Sequence, residues 1–350
     1  MKLRLNIIQL SLLSFLFLLN VNLSSQENQK VFEEIIVTAE KRDESLQTIS
    51  QAVTAITESE IDDKNITSFV DLTSIVPGVT VAKNEGYKTV ISIRGVGNET
   101  NQNAIAAPSV AYHMDGVFIA SPFSLQTDFV DIERIEVLRG PQGTLFGQNS
   151  TGGAINVISK KPSTSAFSSN ASMTIGDYNL RKVSSSTNFP ISDSVATKFT
   201  FTSTERDGFS KNVVTGQDLD DASNISLRSD WIFELNDSSS LRIFGQYFDS
   251  DRNGAAMRGI DDANDSMRKL SQDSLSKQEL TSKVIALIYE SDLGYASLKI
   301  LGSIQEDDVL VVRDNDRHNY GDPVLAIPGL GADSTYQMAE FNPETSLVDT

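Results

Sequence analysis

The stretch RIEVLRGPQGTLFGQNSTGGAINV, residues 134–157, places a strand-like run, a glycine-rich segment and a second apolar run in direct succession. The same order is typical of phosphate-binding loops. Residues 147–152 have the spacing of such a loop, but Gly153 and Ala154 follow where Lys and then Ser or Thr are required. The stretch therefore predicts tight backbone turns rather than a nucleotide site. Its turn glycines are Gly140, Gly143, Gly147, Gly152 and Gly153.

The composition excludes several classes of function. The chain has 350 residues, a formal net charge of -18 and no cysteine. An acidic chain is a poor partner for nucleic acid, because phosphate contacts need clustered Lys and Arg. The lack of cysteine removes thiol catalysis, disulfides and Cys-bound zinc. Since no nucleophile and base stand in a catalytic pattern either, the sequence predicts neither an enzyme nor a cofactor.

Residues of metal-binding type are not arranged as a site. His113 and His318 lie far apart in the sequence, which favours locally packed or solvent-facing side chains. Asp261, Asp262 and Asp265 lie in one acidic segment that lacks the regular spacing of a calcium loop. No metal site is predicted.

The first 25 residues have the pattern of a secretory signal peptide. Lys2 and Arg4 give a basic start, Ile7–Leu19 is apolar, and Asn20–Ser25 is short and polar, with cleavage expected near Ser25. As a helix the apolar run reaches only about 20 Å, which is less than the hydrocarbon core of a bilayer. A signal peptide is therefore favoured over a membrane anchor.

Residues 48–162 predict a compact α+β domain that is rich in loops. The run Thr57–Asn65 carries an N-cap residue and early carboxylates, and residues 67–76 repeat apolar positions at helical spacing. Asp115-Gly116 is a strong hairpin signal, and a helical turn is predicted at Asp128–Ile132. Strands are predicted at residues 52–56, 79–82, 90–94, 110–114, 117–119, 134–139 and 154–158.

Beyond residue 162, apolar and polar residues alternate repeatedly, which is the pattern of strands with one apolar face. In the run at residues 224–235, Leu227 and Trp231 share one face, and Arg228 and Asp230 share the other. The runs have 7–12 residues, close to the roughly 9–11 of a tilted strand that crosses a bilayer. Seven strands are predicted, with a polar segment from about residue 306, at residues 168–175, 180–189, 195–204, 224–235, 241–248, 283–289 and 295–301.

The connections between these strands favour an outer-membrane barrel over a soluble β-sandwich. Short turns at residues 190–194, 236–239 and 291–294 alternate with long segments at residues 205–223 and 249–282, apart from a brief connection at residues 176–179 between the first two strands. Barrels of the outer membrane have this asymmetry, and a sandwich has no reason for it. Seven strands cannot close a barrel, and a barrel that holds an internal domain needs about 22. We therefore expect the N-terminal part of a longer receptor.

The segment at residues 26–47 contains a short strand-prone run, Ile35–Ala39, with charged residues on both sides. Such a strand can add to the edge of another protein's sheet, where backbone hydrogen bonds provide the affinity. It can equally be an edge strand of the domain that follows. The residues alone leave both interpretations open.

Five motifs in this order resemble a TonB-dependent outer-membrane receptor. They are FEEIIVTAEKR at residues 32–42, ISIRGVG at 91–97, VAYHMDGVFI at 110–119, IERIEVLRGPQGTLFG at 132–147 and GGAINVISKKP at 152–162. The resemblance implies a signal peptide at residues 1–25, a TonB-box segment at 26–47 and an α+β plug domain at 48–162. An antiparallel transmembrane β-barrel of the 22-stranded type would follow at 163–350, incomplete in this chain.

The resemblance also implies roles for particular residues. The TonB box, which binds the C-terminal domain of TonB, would consist of Glu34, Ile35, Ile36, Val37, Thr38 and Ala39. TonB acts in turn with an inner-membrane energising complex. Arg94 and Arg139 match two arginines that lock the plug to barrel glutamates, which we expect further downstream. A local pairing of Arg139 with Glu133 or Glu136 is the alternative. Gly95 joins the five turn glycines named above.

The function implied by the resemblance is active import across the outer membrane of a Gram-negative bacterium, after export through the periplasm. The expected partners are TonB, outer-membrane lipid and an extracellular small molecule, with a ferric siderophore as the default cargo. Cobalamin or a carbohydrate is an alternative cargo. The alternatives from other classes are a barrel adhesin or structural surface protein, and a non-functional receptor fragment.

Overall fold

The computed structural model describes residues 36–38, 44–84, 88–97, 108–119, 125, 128–259, 262–314, 317, 335–338 and 345–349. The signal peptide predicted at residues 1–25 lies outside them and stays a prediction. The predicted domain boundaries are not tested by the structure and also stay predictions. None of the helices in the described residues is long and apolar enough to span a membrane.

An α+β domain of short elements forms the first half of the described chain. Its strands are β1 (Ile36–Val37), β2 (Glu44–Ser45), β3 (Val53–Thr57), β4 (Val79–Asn84), β5 (Lys88–Ile93), β6 (Val96–Gly97), β7 (Val110–Met114), β8 (Val117–Phe118), β9 (Ile132–Arg139) and β10 (Gly153–Ser159). Its helices are α1 (Glu58–Asp63), α2 (Leu72–Ile75) and α3 (Gly143–Phe146), with a 3-10 turn at Phe69–Asp71 before α2.

Helix α1 begins where the sequence predicts. The hydroxyl of Thr57 accepts from the N–H of Glu60 at 3.4 Å, and the Glu60 carboxylate accepts from the N–H of Thr57 at 3.2 Å. This reciprocal capping box satisfies two N–H groups that the first turn of a helix otherwise leaves without partners. Ile61 then points into the core.

A mixed five-stranded sheet in the order β3-β9-β10-β7-β8 forms the centre of this domain. Strand β10 pairs antiparallel with β9 and parallel with β7. One face of the sheet packs on the small sheet β4-β5-β6 and on the helices, around the fully buried side chains of Phe69, Leu72, Ile93, Ile135 and Ile155. The predicted hairpin at Asp115-Gly116 is present between β7 and β8.

The helical turn predicted at Asp128–Ile132 is wrong. Residues 128–130 have no regular structure, and Asp131 has a left-handed φ of 56°. Tertiary hydrogen bonds explain the difference, because the N–H of Phe129 donates to the carbonyl of Thr67 at 2.8 Å and the Asp131 carbonyl accepts from Lys160 at 2.9 Å. Strand β9 begins directly afterwards at Ile132.

Seven long strands follow and form one antiparallel sheet, which we call the wall sheet. They are β11 (Ser168–Gly176), β12 (Leu180–Ser192), β13 (Val195–Arg206), β16 (Ala222–Asn236), β17 (Ser239–Arg252), β19 (Lys277–Asp292) and β20 (Ser297–Asp314), each paired with the next. The long connections hold three short strands that pair with one another, β14 (Ser210–Asn212), β15 (Asp218–Leu219) and β18 (Lys269–Leu270). The predicted fold class is confirmed.

The strands of the wall sheet extend further than the sequence indicates. Strand β20 has 18 residues and continues to Asp314, so the polar segment predicted from residue 306 is wrong. The reason is that alternation continues there, with Asp307, Val309 and Val311 on the buried face while the backbone stays paired with β19. Strands β21 (Thr335–Met338) and β22 (Thr345–Asp349) also pair with β20, where a loop was expected.

The two faces of the wall sheet have different environments. In β19, Val284, Ala286 and Ile288 are buried against the α+β domain, whereas Ile285 and Leu287 are exposed on the opposite face. An apolar outer face with an inner face against a folded domain is the arrangement expected of a barrel wall around a lumen.

An aromatic row runs across the outer face toward the tight turns. The rings of Phe189 and Phe199 lie 6.2 Å apart, those of Phe199 and Trp231 6.5 Å apart, and those of Trp231 and Phe233 6.4 Å apart. Rows of this kind are typical of the girdles that barrels place at the membrane–water boundary.

Candidate functional site

The predicted partner-binding run is docked on the α+β domain. Strand β1 pairs antiparallel with β2, through Ile36 with Ser45 and Val37 with Glu44. The side chain of Val37 is fully buried, in a cluster with Ala55, Ala111, Leu138, Phe146 and Ala154. The run thus forms a separate two-stranded sheet with β2 and packs on the domain that follows, and this arrangement does not test partner binding. Glu34, Ile35 and Ala39 lie outside the described residues.

A single buried carboxylate holds this segment to the centre of the domain. Glu136 in β9 accepts from the backbone N–H of Thr38 at 2.7 Å and from its hydroxyl at 3.1 Å. Arg134 Nε donates to the same carboxylate at 2.9 Å, and Asn156 in β10 at 3.3 Å. The carboxylate is completely inaccessible to solvent, so each of these bonds offsets its desolvation. The sequence pattern around Glu136 does not indicate this role.

The two predicted lock arginines have no ion pair within the described part of the chain. Arg94 is exposed, has a φ of 52°, and its N–H donates to the carbonyl of Gly78 at 2.7 Å. Arg139 is half-buried, and its Nε is buried without a hydrogen bond to any described residue. The alternative to the lock is a solvated or locally paired arginine; Arg94 is exposed, and Glu133 and Glu136, the local acids considered for Arg139, pair with Arg134. The lock to barrel glutamates stays a prediction.

The turn glycines serve packing within the α+β domain. A Cβ on Gly152 would lie 2.9 Å from the carbonyl oxygen of Val96, and one on Gly153 would overlap the carbonyl of Leu138. These close neighbours belong to the same domain and not to the wall sheet. Positive φ angles occur at Gly95, Gly140, Gly147 and Gly153. Gly143 begins α3 and has neither a positive φ nor a close neighbour.

The strongest contact between the domain and the wall sheet is a buried network of charges. Asp115, in the turn between β7 and β8, accepts from Arg228 Nη2 at 2.6 Å and from Arg242 Nη1 at 3.3 Å. Asp230 accepts from Arg242 Nη2 at 2.6 Å and from Arg228 Nη2 at 3.0 Å. The N–H of Ser159 donates to Asp115 at 2.9 Å. Two guanidinium groups and two carboxylates thus balance their charges.

The electrostatics of Asp115 show that it is ionised. Burial alone would raise its pKa, but Arg242, Arg228 and the N–H of Ser159 together hold that pKa well below its ordinary value. A buried charge persists only where partners compensate its lost hydration. This aspartate is therefore held in place as an anion by the wall sheet.

Further ion pairs join the domain to the wall sheet around its edge. Lys198 pairs with Asp131 at 2.8 Å, Lys182 with Asp128 at 3.2 Å, and Lys161 with Glu290 at 2.9 Å. In each pair the strand residue lies on the face turned toward the domain. The sequence placed Arg228 and Asp230 on the polar face of their strand. Asp115, the plug partner of Arg228, is 113 positions away in the sequence, so no local pattern indicates this ion pair.

The residues considered as metal ligands are used in local structure. His113 is buried between the rings of Phe118 and Phe146, at 5.5 and 5.2 Å between centroids. The Asp262 carboxylate accepts from the N–H groups of Asn264 and Ser271 at 2.9 and 2.7 Å. Within the described residues, no group of three or more His, Asp or Glu is arranged to hold a metal. Asp261 and His318 lie outside them.

Comparisons with known proteins identify the first domain. The TonB-dependent Receptor Plug Domain family matches residues 45–154. A pesticin receptor from Yersinia pestis is 32% identical over 144 residues, which cover 40% of this chain and 20% of that protein. The vitamin B12 transporter BtuB of Vibrio vulnificus strain YJ016 is 24% identical over 220 residues, or 63% of this chain and 35% of that protein. The chain thus spans about a fifth to a third of the length of these relatives.

Solved structures share the fold of the described chain. The ferric yersiniabactin uptake receptor FyuA from Yersinia pestis has a TM-score of 0.65 at 21% identity, covering 75% of this chain and 42% of that one. The pyoverdine outer membrane receptor FpvA from Pseudomonas aeruginosa PAO1 has a TM-score of 0.63 at 17% identity, covering 80% and 41%.

The relatives are named as receptors and transporters, and two of them as outer-membrane proteins, which agrees with the predicted location and with the prediction of a non-enzymatic protein. The motifs, the plug and the antiparallel wall sheet agree with this family in the same order along the chain. Residues 45–154 are a plug domain of the TonB-dependent receptor family, and the chain around it resembles the N-terminal part of such receptors in motif order and in fold.

Proposed function

We propose that the chain acts in the active import of a scarce nutrient across the outer membrane, with TonB as the partner that supplies the mechanical work. The strand at Ile36 and Val37 separates from β2 and pairs by its backbone with the sheet of TonB, and the segment is then pulled while Thr38 is still bonded to the plug. The plug then shifts or partly unfolds, and the ligand passes into the periplasm.

The observation that carries this proposal is the attachment of Thr38 to Glu136. Strand β1 shares only two residue pairs with β2, so the backbone pairing itself is short. Thr38 in contrast bonds a carboxylate in β9, which also contacts Asn156 in β10. A pull on Thr38 therefore acts on two adjacent strands of the central plug sheet, and not on a peripheral loop.

The network of Asp115, Arg228 and Arg242 complements this attachment. It holds the β7–β8 turn to the wall sheet, while the pull acts through β9 and β10. Strand β10 pairs with β9, which is pulled, and with β7, which is anchored to the wall sheet. Strand β10 therefore lies between the pulled and the anchored parts of the plug sheet. Such a sheet resists displacement until the pull exceeds the strength of its weaker contacts.

We propose a ferric siderophore as the cargo. Support comes from the uptake receptor for ferric yersiniabactin and the pyoverdine receptor, which share the fold, and from the iron-regulated outer membrane virulence protein of Vibrio cholerae, which is 32% identical over 144 residues. The similarity to a vitamin B12 transporter makes cobalamin the competing cargo.

The experiment compares uptake and binding in cells that carry the receptor with Val37→Pro or Val37→Ala. Proline removes a backbone N–H and prevents strand pairing, whereas alanine keeps the backbone and serves as the matched control. The probes are ⁵⁵Fe-loaded yersiniabactin, ⁵⁵Fe-loaded pyoverdine and labelled vitamin B12.

We expect Val37→Pro to abolish uptake of one iron probe and to leave its binding to the cell surface intact. Val37→Ala should keep most of the uptake. Uptake that persists in Val37→Pro would contradict the transport proposal and favour an adhesin or structural surface protein. Uptake of vitamin B12 alone would replace the siderophore as cargo.

A further inference from the structure

A second feature of the interface is a chamber between the plug and the wall sheet. Its volume is about 210 Å³. It lies at the end of the sheet that carries the long connections, since Arg206 and Arg252 are the last residues of β13 and β17. The plug contributes Lys83 and Asp128, and Lys182 and Asp221 complete the set of charged groups in the lining.

The register of the wall sheet explains why these cations meet. Lys182 in β12 stands opposite Thr204 in β13, and Thr204 stands opposite Asn224 in β16. Arg206 lies two residues beyond Thr204 and therefore on the same face. All of these side chains point toward the plug and line the chamber. The cations are thus directed away from the lipid-facing side of the sheet.

The chamber has more positive than negative charge. It contains four cations, Lys83, Lys182, Arg206 and Arg252, and two carboxylates, Asp128 and Asp221. Lys182 pairs with Asp128 at 3.2 Å, and Asp221 accepts from the backbone N–H of Asn253 at 2.9 Å. Among the lining residues that the structure describes, cations thus outnumber carboxylates by four to two, within a chain whose formal net charge is -18.

Arg206 is a cation of the chamber whose bonding is incomplete. Its Nη2 donates to the backbone carbonyl of Asp220, which carries no charge. Its Nε is buried and has no hydrogen bond to any described residue. A buried N–H of a charged group without an acceptor is costly, so an acceptor from a ligand would stabilise this side chain.

The titration of Lys83 agrees with a surplus of positive charge. Desolvation and the guanidinium of Arg252 lower its pKa, and Arg206 acts in the same direction. The carboxylate of Asp128 raises the pKa of Lys83, but the net shift is still a lowering. A bound anion would oppose this lowering of the Lys83 pKa, because an opposite charge nearby favours the ionised form of a lysine.

We infer that this chamber binds a compact small molecule that carries two or more negative charges on carboxylate or phosphate oxygens. Its volume is smaller than the roughly 300–1,000 Å³ of pockets that enclose a whole drug-sized ligand. It therefore suits a small polyanion or the anionic group of a larger molecule. That this anion belongs to the imported ligand rests on the proposed function; the binding itself does not.

The test titrates the full chain in detergent with pyrophosphate and, separately, with citrate, by calorimetry at fixed ionic strength. The two probes distinguish phosphate from carboxylate recognition, and a neutral sugar of similar size is the negative probe. The variants are Lys83→Gln and Arg206→Gln. Lys269→Gln removes the same charge as Lys83→Gln from an exposed ion pair with Asp265, outside the chamber, and is the matched control.

We expect at least one polyanion to bind, with affinity about ten-fold or more lower in Lys83→Gln and in Arg206→Gln. Lys269→Gln should bind as the unchanged chain does. Asp221→Asn removes a competing carboxylate and should tighten binding, a gain that misfolding cannot produce. Absence of binding for both polyanions, or equal affinity in all variants, would overturn the inference.

The outcome separates from that of the transport proposal. If polyanions fail to bind while Val37→Pro still abolishes uptake, only the anion chamber is refuted. If they bind as expected while Val37→Pro leaves uptake unchanged, the chamber stands as a binding site and the transport proposal falls.

Discussion

Asp115 of the plug and Arg228 of strand β16 are joined by 2.6 Å between Oδ2 and Nη2, and both side chains are almost completely buried. The carboxylate lies on the plug and the guanidinium on the wall sheet. In the lock that the resemblance implies, the arginines lie on the plug and the glutamates on the barrel, so the order is reversed. Arg242 supplies a second base and Asp230 a second acid, so the arrangement forms a closed group of charges. This group fastens the β7–β8 turn to the wall sheet.

Replacing Asp115 should detach that turn. Asp115→Asn leaves two buried guanidinium groups with one carboxylate, and removing one partner of a buried pair costs about 3–5 kcal/mol. We expect the free energy of unfolding of the chain in detergent to fall by an amount of that order, measured by urea titration. Asp218→Asn, which breaks an exposed ion pair with Lys211, should change it by less than about 1 kcal/mol. Equal losses in the two variants would refute the role of Asp115.

The stability contributed by Asp115 should depend on pH in a defined direction. The folded state lowers the pKa of Asp115 below the value of about 3.9 that an unfolded aspartate has. The unfolded chain therefore binds the proton first, and stability falls as pH decreases below about 4. Urea titrations between pH 5 and pH 3 should show a steeper loss in the unchanged chain than in Asp115→Asn. Parallel curves would mean that Asp115 is not ionised in the folded chain.

Thr38→Val should loosen the docked segment. The substitution keeps the shape of the side chain and removes the hydroxyl that donates to Glu136. Loss of a bond to a charged group favours local opening, and hydrogen exchange at residues 36–38 should become about ten-fold faster. Thr281→Val removes a comparable hydroxyl-to-carboxylate bond, to Asp249 at 2.8 Å in the wall sheet, and should leave exchange at residues 36–38 unchanged. Equal exchange in both would show that Thr38 does not hold the segment.

Gly153 and Gly143, two of the five glycines in residues 134–157, are a matched pair for substitution by alanine. Gly153→Ala would place a Cβ against the carbonyl of Leu138 and 2.8 Å from Ile93 Cδ1, at a φ of 150°. We expect a loss of about 1–3 kcal/mol or more in the free energy of unfolding. Gly143→Ala meets nothing closer than 4.0 Å and lies in α3, so it should be neutral or stabilising by about 0.5–1 kcal/mol. Similar losses at both positions would contradict this packing.

Much of the fold can be predicted from local patterns, and the interface cannot. Residues adjacent in the sequence determine three of its features: the capping residue Thr57, the turn at Asp115-Gly116 and the alternation in the wall strands. The prediction of a helical turn at Asp128–Ile132 is wrong because the carbonyl of Thr67, which is distant in the sequence, accepts a hydrogen bond from the N–H of Phe129. Local propensity does not contain such a contact.

The same limit applies to the candidate site. The sequence placed Arg228 on the polar face of its strand, and a buried guanidinium needs an acid, but the strand order and register decide which acid reaches it. Glu136 likewise lies in an ordinary strand pattern, and its bond to Thr38 spans 98 positions. The resemblance to known receptors indicated Thr38 as part of a partner-binding run, although it did not indicate what holds that run in place.

The most direct test of the account is a crosslink between the docked strand and TonB. Because the chain has no cysteine, Val37→Cys and Ser45→Cys each create a unique thiol. Each is mixed with the C-terminal domain of TonB that carries one cysteine in its exposed edge strand, and disulfide formation is measured under oxidising conditions. The account predicts a crosslink for Val37→Cys and little or none for Ser45→Cys on the partner strand β2. No crosslink at position 37, or equal crosslinking at position 45, would contradict it.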